Sequence, residues 1–447
     1  MIVETRRRVF ERLCGVRARF ALTSSAVARR YFGTDGVRGV VGEWLTVDLV
    51  ERLGRAATLW SGAERVFVGR DTRASGPQLE EAFGRGVASA GGTAVLGGVL
   101  PTPAVALERL DLGVVISASH NPPEYNGVKF FSADGHKLSD ADEEAIEALL
   151  DAPPADRVGE IVHLDTSTDG YLAYVLERFG SPLSGLRIAV DCAHGAYSHI
   201  APLAFQRLGA EVFALANEPD GSNINVGCGA TDTATLQHTV VVGGFDLGIA
   251  FDGDGDRMLA VDENGALVDG DEILAILAPA LGVDVVAVTQ MTNLGFHALM
   301  REHGIRVLTT DVGDRYVLEA LHAEGGVLGG EQSGHIIYLR DHVTGDGLAA
   351  ALLLCSALAG RSLSAAAATM PRFAQCKENI HVTAKILTPA IIDEVDATNA
   401  KLGHTGRVLV RASGTEPVIR VLVEAENEAV AQDACGRIAR LVESELG

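Results

Sequence analysis

The chain has 447 residues, of which 47% are hydrophobic and 51 are glycine, a composition typical of a packed α/β protein with roughly three to four domains. Lysine and arginine number 37 against 59 aspartate and glutamate, a net charge of −22, and the resulting repulsion excludes nucleic acid and anionic membrane surfaces as partners. The longest uncharged apolar stretch, 348–360, is too short to cross a bilayer and predicts a buried helix.

The first 30 residues differ from the rest because they are rich in arginine and poor in acidic residues. Such a leader resembles an organelle transit peptide, but a disordered extension, or a start site placed too far upstream, is the simpler interpretation. We therefore leave residues 1–30 out of the predicted fold.

From Tyr31 onward, short β-branched runs alternate with helical stretches such as 77–90. The predicted strands are 65–68, 94–96, 113–116, 186–190, 211–214, 246–251, 283–289, 306–309 and 326–328. This alternation indicates βαβ units. It predicts three related α/β domains with mixed, mostly parallel sheets. Asn264-Gly265 between the apolar runs 258–261 and 266–268 predicts a hairpin.

The chain changes character at 373, where a smaller α+β domain is predicted. Its strands are expected at 380–382, 407–410 and 418–424, and a closing helix at 428–445. The predicted division is an extension at 1–30 and domains at 31–160, 161–265, 266–372 and 373–447, arranged around a central cleft.

The six cysteines lie far apart and form no C-x-x-C pair. This spacing predicts neither a disulfide framework nor a zinc site, and it fits a reducing cytosol. We therefore expect a cytoplasmic protein. The cysteines are Cys14, Cys192, Cys228, Cys355, Cys376 and Cys435.

The most informative stretch runs from Phe251 to Arg257, where three aspartates alternate with two glycines. Asp252, Asp254 and Asp256 repel one another unless a cation lies among them, and their hard oxygens suit Mg²⁺, Mn²⁺ or Ca²⁺. The competing interpretation is a solvated acidic turn. An EF-hand calcium loop is rejected because its sixth position requires glycine and is Arg257 here.

A second stretch, 114–123, is a strand that ends at Ser119 and His120, with Pro122 delaying any helix. Functional groups of α/β proteins lie at such carboxyl ends of strands. A capping or turn serine is the competing interpretation. Lys129 could face the same cleft, or be an ordinary surface lysine.

Three further loops contain candidate binding groups. Arg38, in the glycine-spaced loop 33–39, could hold an anion together with backbone N–H groups. Glu331, Ser333 and His335 are predicted to alternate on one side of an extended segment that suits sugar hydroxyls, or to form a polar loop with a structural histidine. The fourth-domain loop combines arginines with hydroxyl and N–H donors and predicts a phosphate site, a salt-bridged turn being the alternative. Its candidate residues are Arg411, Ser413, Gly414, Thr415 and Arg420.

In sequence and order these stretches resemble the α-D-phosphohexomutase family, and the match covers nearly everything from Tyr31 to the C-terminus. The run 116–120, Gln332 and the run 312–316 are most similar to its glucosamine-phosphate branch. The resemblance implies four domains around one cleft. It also implies phosphorylation of Ser119, with Ser117 as the weaker alternative.

The resemblance further implies one Mg²⁺, held by Asp252, Asp254, Asp256 and a phosphate oxygen on Ser119. Glu331 and Ser333 would contact the sugar, and the 411–420 loop would bind the distal phosphate. The positive groups expected around the transferring phosphate are Arg38, His120, Lys129 and Arg257. Lys129, His335 and Arg38 are the candidate acid–base groups, in that order.

The implied reaction interconverts glucosamine 6-phosphate and glucosamine 1-phosphate through glucosamine 1,6-bisphosphate, and supplies amino-sugar precursors. Two alternatives remain: the same chemistry on mannose or glucose phosphates, and a non-catalytic phosphosugar-binding protein. The expected partner is a small phosphosugar, with no nucleic acid and no membrane, for a monomer or homodimer.

Overall fold

The computed structural model describes residues 30–33, 35–108, 110–164, 168–403, 405–413 and 417–447. The predicted extension lies outside these residues except for Arg30, and so do Gly414 and Thr415 of the predicted phosphate loop. The described residues form four sheets.

The first sheet is mixed and has seven strands. Its strands are β1 (Phe32–Gly33), β2 (Gly36–Val40), β3 (Arg65–Arg70), β4 (Thr93–Val99), β5 (Leu112–Ile116), β6 (Tyr125–Ser132) and β7 (Glu160–His163), in the order β1-β2-β6-β5-β3-β4-β7. Its helices are α1 (Val47–Ser61), α2 (Gly76–Ser89), α3 (Thr102–Leu107) and α4 (Asp140–Ala148). Helices α1 and α2 pack closely because Gly86 lacks a side chain; a Cβ there would lie 2.0 Å from the Glu51 carbonyl oxygen.

The second sheet has five strands. These are β8 (Arg187–Asp191), β9 (Glu211–Leu215), β10 (Leu247–Phe251), β11 (Met258–Asp262) and β12 (Leu267–Val268), in the order β12-β11-β10-β8-β9. The helices are α5 (Asp169–Phe179), α6 (Ile200–Arg207) and α7 (Ala234–Gly243). The predicted hairpin is confirmed, since β11 pairs antiparallel with β12 across a turn in which Gly265 has φ 85°.

The third sheet has four strands. These are β13 (Val285–Thr289), β14 (Arg306–Thr310), β15 (Leu328–Gly330) and β16 (Ile336–Tyr338), in the order β14-β13-β15-β16. The helices are α8 (Gly270–Ala280), α9 (Leu294–Glu302), α10 (Asp314–Glu324), α11 (Gly347–Leu358) and α12 (Leu363–Ala367). Each sheet together with its helices forms one unit of the fold. The second and third units share one apolar core, in which α11 is buried as predicted.

One prediction in this unit is wrong. The strand expected at 326–328 begins at Leu328, and the segment after it is a tight turn rather than an extended chain. Gly334 N–H donates to the Glu331 carbonyl at 3.0 Å, and Glu331 N–H donates to the His335 carbonyl at 3.0 Å. The hydrogen-bonded turn joins β15 to β16, so Glu331, Ser333 and His335 do not alternate along a strand.

The fourth sheet is antiparallel, with the order β17-β19-β18. Its elements are β17 (Ala374–His381), α13 (Pro389–Leu402), β18 (Gly406–Ala412), β19 (Val418–Ala425) and α14 (Glu428–Leu446). Strand β17 begins six residues before the predicted 380–382 (380 − 374 = 6). The fold class predicted from the sequence is confirmed. None of the described helices combines the length and apolarity needed to cross a bilayer.

Asp271, in the first turn of α8, is a buried carboxyl group near the fourth unit. One oxygen accepts the Asn293 N–H at 2.9 Å, and the other is buried without a hydrogen-bond partner among the described residues. Burial, and then the charge of Asp269, raise the pKa of Asp271 from 3.8 to about 7.

The variant Asp271→Asn should flatten the pH dependence of thermal stability. The folded chain holds the proton on the Asp271 carboxyl group more tightly than the unfolded chain does. The stabilising contribution of Asp271 to the free energy of unfolding is therefore fully present below pH 3.8 and is lost as the pH rises towards about 7. Scanning calorimetry from pH 4 to 8 should therefore show a steeper fall in Tm for the parent than for the variant. Parallel curves would contradict this expectation, and the exposed Asp393→Asn serves as the control.

Candidate active site

Two predicted loops meet at the carboxyl ends of their strands. Ser119 follows β5 and Asp252 follows β10, and the Ser119 Oγ donates a hydrogen bond of 2.5 Å to Asp252 Oδ2. Gly253 permits this approach, because a Cβ there would lie 2.7 Å from the Ser119 carbonyl oxygen. The serine is therefore in direct contact with the acidic loop.

The backbone of the serine loop is bound by two side chains from outside it. Arg73, whose side chain is fully buried, donates to the carbonyl oxygens of Ser119 at 3.0 Å and Asn121 at 2.8 Å, and also to that of Pro122. Asn225 of the second unit donates to the Ser119 carbonyl at 2.9 Å. These bonds hold Ser119 at φ 51°, a left-handed conformation that is unfavourable for residues with a side chain.

Ser117 supports the loop from below. Its hydroxyl donates to Asp71 Oδ2 at 2.6 Å and accepts the Ser119 N–H at 2.9 Å, and the side chain is fully buried. Asp71 in turn binds Arg73 Nε at 2.9 Å. Both hydrogen-bonding roles of the Ser117 hydroxyl are occupied, which favours Ser119 over Ser117 as the reactive serine.

The three aspartates of the acidic loop are buried and lie close enough to hold one cation. Their carboxylate oxygens lie within 4.8 Å of one another. Asp254 Oδ1 and Asp256 Oδ1 are buried without hydrogen-bond partners among the described residues. Hard carboxylate donors with unused oxygens fit Mg²⁺, so the residues present suit the ion that the motif implies.

The neighbouring positive charges act on Asp256 more strongly than on Asp252. Burial and the neighbouring Asp256 and Asp254 raise the pKa of Asp252 well above its ordinary value. Burial acts in the same direction on Asp256, but Lys129, His335 and Arg257 lower its pKa well below the ordinary value. The cluster therefore still lacks positive charge beside Asp252, the aspartate that contacts Ser119.

Lys129 is the cation nearest to the acidic loop. Its Nζ lies 2.7 Å from Asp254 Oδ2, 3.1 Å from Asp256 Oδ2 and 3.4 Å from Asp35 Oδ2. Burial would lower the pKa of Lys129, but the three carboxylates raise it above its ordinary value. The carboxylates favour the protonated amine, which can donate a proton, and the place of Lys129 among the acid–base candidates stays a prediction.

His120 and Arg38 are two further predicted cations near Ser119. His120 Nδ1 is 3.3 Å from the Ser119 Oγ, and Arg38 binds Asp35 and, at 3.3 Å, Asn121 Oδ1. Burial, followed by the charges of Arg257 and Arg38, lowers the pKa of His120 to about 4. His120 is therefore neutral at pH 7 with Ser119 unmodified, and its positive charge beside a phosphorylated Ser119 stays a prediction.

A cavity of about 280 Å³ opens beside the acidic loop and is lined by residues from all four units. Seven predicted site residues line it: Asp256, Arg257, Glu331, His335, Arg411, Ser413 and Arg420. Ser333 is exposed at the tip of its turn and is not one of the lining residues. The structure thus brings the predicted sugar and phosphate residues to one cavity, apart from Ser333 and the two residues outside the described chain.

The turn after β15 orients two of these groups. Glu331 accepts the Gly313 N–H at 3.1 Å, which fixes its carboxylate beside the cavity. His335 lies 3.4 Å from Asp314 and 3.8 Å from Asp256. Burial would lower the pKa of His335, but Asp314 and Asp256 raise it. These two carboxylates therefore favour the protonated form of His335, which can act as a proton donor.

Arg411 and Arg420 face each other directly across β18 and β19. Like charges in this position repel, and burial together with Arg420 lowers the pKa of Arg411. Between two guanidinium groups a dianionic phosphate would find bidentate donors on both sides. The geometry is that of an anion site.

Sequence reasoning missed several residues that organise this site. Asp71 and Arg73 stand two apart at the end of β3, which is a usable signal of function. Lys137 Nζ binds Asp35 at 2.5 Å and Asp314 at 2.6 Å, and so connects the first and third units. No local pattern marks Lys137, because its partners lie far away in the sequence.

Models of four protein domains match consecutive parts of the chain. They are phosphoglucomutase/phosphomannomutase alpha/beta/alpha domain I at residues 29–156, domain II at 169–265, domain III at 269–373 and the C-terminal domain at 375–441. The chain belongs to the phosphoglucomutase/phosphomannomutase family. The resemblance to α-D-phosphohexomutases is thereby confirmed.

Relatives within this family share nearly half of their residues with the chain. A phosphoglucosamine mutase of Moorella thermoacetica is 49% identical over 88% of this chain and 95% of its own. One of Saccharopolyspora erythraea is 48% identical over 92% and 99%. A solved phosphoglucomutase/phosphomannomutase family protein from Burkholderia thailandensis has a TM-score of 0.80 at 26% identity, covering 93% of this chain and 97% of that one. Within the family, the chain groups with the phosphoglucosamine mutases.

Proposed function

We infer that this protein is an isomerase that interconverts glucosamine 6-phosphate and glucosamine 1-phosphate, and that phospho-Ser119 is its phosphoryl donor. The observation that supports this donor most directly is the hydrogen bond from Ser119 to Asp252 of the buried aspartate cluster. The cavity beside it is lined by residues from all four units and includes the Arg411–Arg420 pair, which suits a phosphate group.

In the first transfer, the bond from phosphorus to the Ser119 Oγ breaks as a bond to O1 of glucosamine 6-phosphate forms. The O1 hydroxyl loses a proton, and the serine oxygen gains one. Phosphoryl transfer depends mainly on positioning and charge neutralisation, and Arg38, Arg257 and Lys129 are the nearby cations. Asp252, Asp254 and Asp256 would hold Mg²⁺, which when bound neutralises developing phosphoryl charge.

In the second transfer, the phosphate at C6 of glucosamine 1,6-bisphosphate returns to Ser119, and glucosamine 1-phosphate leaves. The bisphosphate must reorient so that its other end faces the serine. The Arg411–Arg420 pair then holds the newly formed 1-phosphate instead of the 6-phosphate. The arginine pair belongs to the small fourth unit, which suits this exchange because a separate unit can move between the two transfers.

His335 is the acid–base group that we assign to the sugar hydroxyl. It lines the cavity, and Asp314 and Asp256 raise its pKa, which favours the protonated form that can donate a proton. Arg38 is held by hydrogen bonds to Asp35 and Asn121. Glu331 would accept hydrogen bonds from the sugar hydroxyls.

The substrate assignment is tested by measuring kcat/KM for the 6-phosphates of glucosamine, mannose and glucose under identical conditions. We expect glucosamine 6-phosphate to be preferred. A higher value for mannose or glucose 6-phosphate would move the enzyme to the phosphomannomutase/phosphoglucomutase alternative. Tight binding of a phosphosugar without turnover would instead support a non-catalytic protein.

The variant Arg411→Ala should raise KM by about 10-fold or more and change kcat less. A hydrogen bond to a charged group contributes roughly 1.5–3 kcal/mol, and Arg411 would contact a phosphate that does not react in that step. Steady-state kinetics with the exposed Arg301→Ala as control measures the effect. An unchanged KM would remove Arg411 from the phosphate site.

We propose a cytoplasmic location and a monomer or homodimer. The cysteines of the described residues form no disulfide, which fits a reducing compartment. Analytical ultracentrifugation at several concentrations tests the oligomeric state.

A further inference from the structure

Two cysteines that lie 59 residues apart in sequence (435 − 376) come together in the fourth unit. The ligand atoms of Cys376, Glu378 and Cys435 lie within 4.8 Å of one another. The sequence spacing gave no sign of this cluster, since a strand supplies one thiol and a distant helix supplies the other.

The local structure explains why the three side chains converge. Cys376 and Glu378 stand two residues apart on β17, so they point to the same face of the sheet. That face is covered by α14, where Cys435 belongs to the apolar core. Lys377 points to the opposite face, towards the cavity that contains Arg411 and Arg420. The two thiols therefore lie on the helix side of the sheet, away from the arginines, and Glu378 lies at the edge of the pocket that Arg411 and Arg420 also line.

We propose that Cys376, Glu378 and Cys435 form a binding site for one zinc ion. Thiolates bind zinc in preference to magnesium, and zinc also accepts a carboxylate ligand. Three protein ligands plus a water molecule are a common zinc arrangement. Cys435 is buried, Cys376 is half-buried and Glu378 is exposed, so an ion can enter from the Glu378 side.

The carboxylate of Glu378 places negative charge where the cation would bind. Zinc binding replaces protons: each thiol releases one to solvent as its sulfur binds the ion. No oxidation or reduction is involved.

The test is a zinc titration of the full chain in excess Mg²⁺ with thiols reduced, using a competing chromophoric chelator. Cadmium provides a second signal through its thiolate charge-transfer absorption. We expect one zinc per chain, an affinity reduced by more than about 100-fold in the double variant Cys376→Ser/Cys435→Ala, and a loss of about 10-fold in Glu378→Gln. Cys355→Ala, which removes a buried cysteine elsewhere, should bind zinc like the parent.

Three outcomes would overturn the proposal. Equal zinc affinity of the parent and the double variant would show that the cysteines are not ligands. Loss of the site in Asp254→Asn instead would place the ion in the acidic loop. A disulfide between Cys376 and Cys435 that forms readily in air, with no zinc bound after reduction, would assign the pair to covalent chemistry. Mutase activity with Mg²⁺ checks that each cysteine variant is folded.

Discussion

Replacing Ser119 by alanine should abolish mutase activity, leaving only the background rate. The proposed reaction passes both phosphoryl groups through the Ser119 oxygen, and alanine offers no atom to accept them. The loop should otherwise persist, because the Arg73 and Asn225 contacts are made to its backbone carbonyl groups. Activity is measured by coupling glucosamine 1-phosphate formation to a detectable product.

A matched control for this variant is Ser356→Ala, which removes an exposed hydroxyl from α11. It should retain full activity. Thermal unfolding of both variants should resemble that of the parent, so that loss of activity reports chemistry. Full activity of Ser119→Ala would end the phosphoserine proposal, whatever the substrate.

The second large effect is expected from Asp254→Asn. Asp254 is buried, binds Thr102 and Lys129 at 2.7 Å each, and leaves one oxygen without a described partner. Removing its charge should lower kcat by about 10²–10³-fold, as expected for loss of a group that stabilises transition-state charge. The Mg²⁺ concentration needed for half-maximal rate should rise as well.

The control is Asp393→Asn, which removes an exposed carboxylate from α13. Rates measured across a Mg²⁺ series separate loss of metal affinity from loss of folding. Parent-like rates and parent-like Mg²⁺ dependence in Asp254→Asn would remove Asp254 from the metal site. A related expectation is weaker Mg²⁺ binding when Ser119 is unphosphorylated, because the phosphate would add an oxygen ligand.

Much of the fold was predictable because the buried strands are short runs of β-branched apolar residues that stand out in the sequence. The β-branched runs before Ser119 and Asp252 predicted β5 and β10, and the polar residues that follow were correctly placed at strand ends. The short strand at Leu328–Gly330 was misplaced because its two glycines weaken any strand signal. The turn that follows it was missed because the alternation of Glu331, Ser333 and His335 is also the pattern of an extended segment.

The chemical roles were less predictable than the positions. Lys129 is the first of the predicted acid–base candidates. Only the structure shows three carboxylates around it. Asp314 appeared in the sequence only as part of a motif, and its contacts with Lys137 and His335 depend on the approach of two units.

The most direct test of the central claim is the intact mass of the purified enzyme before and after phosphatase treatment, with peptide mapping of the modified residue. We predict a species heavier by one phosphate, located on Ser119, removed by phosphatase together with activity and restored by glucosamine 1,6-bisphosphate. An active enzyme that carries no phosphate under turnover, or carries it on another residue, would contradict the account.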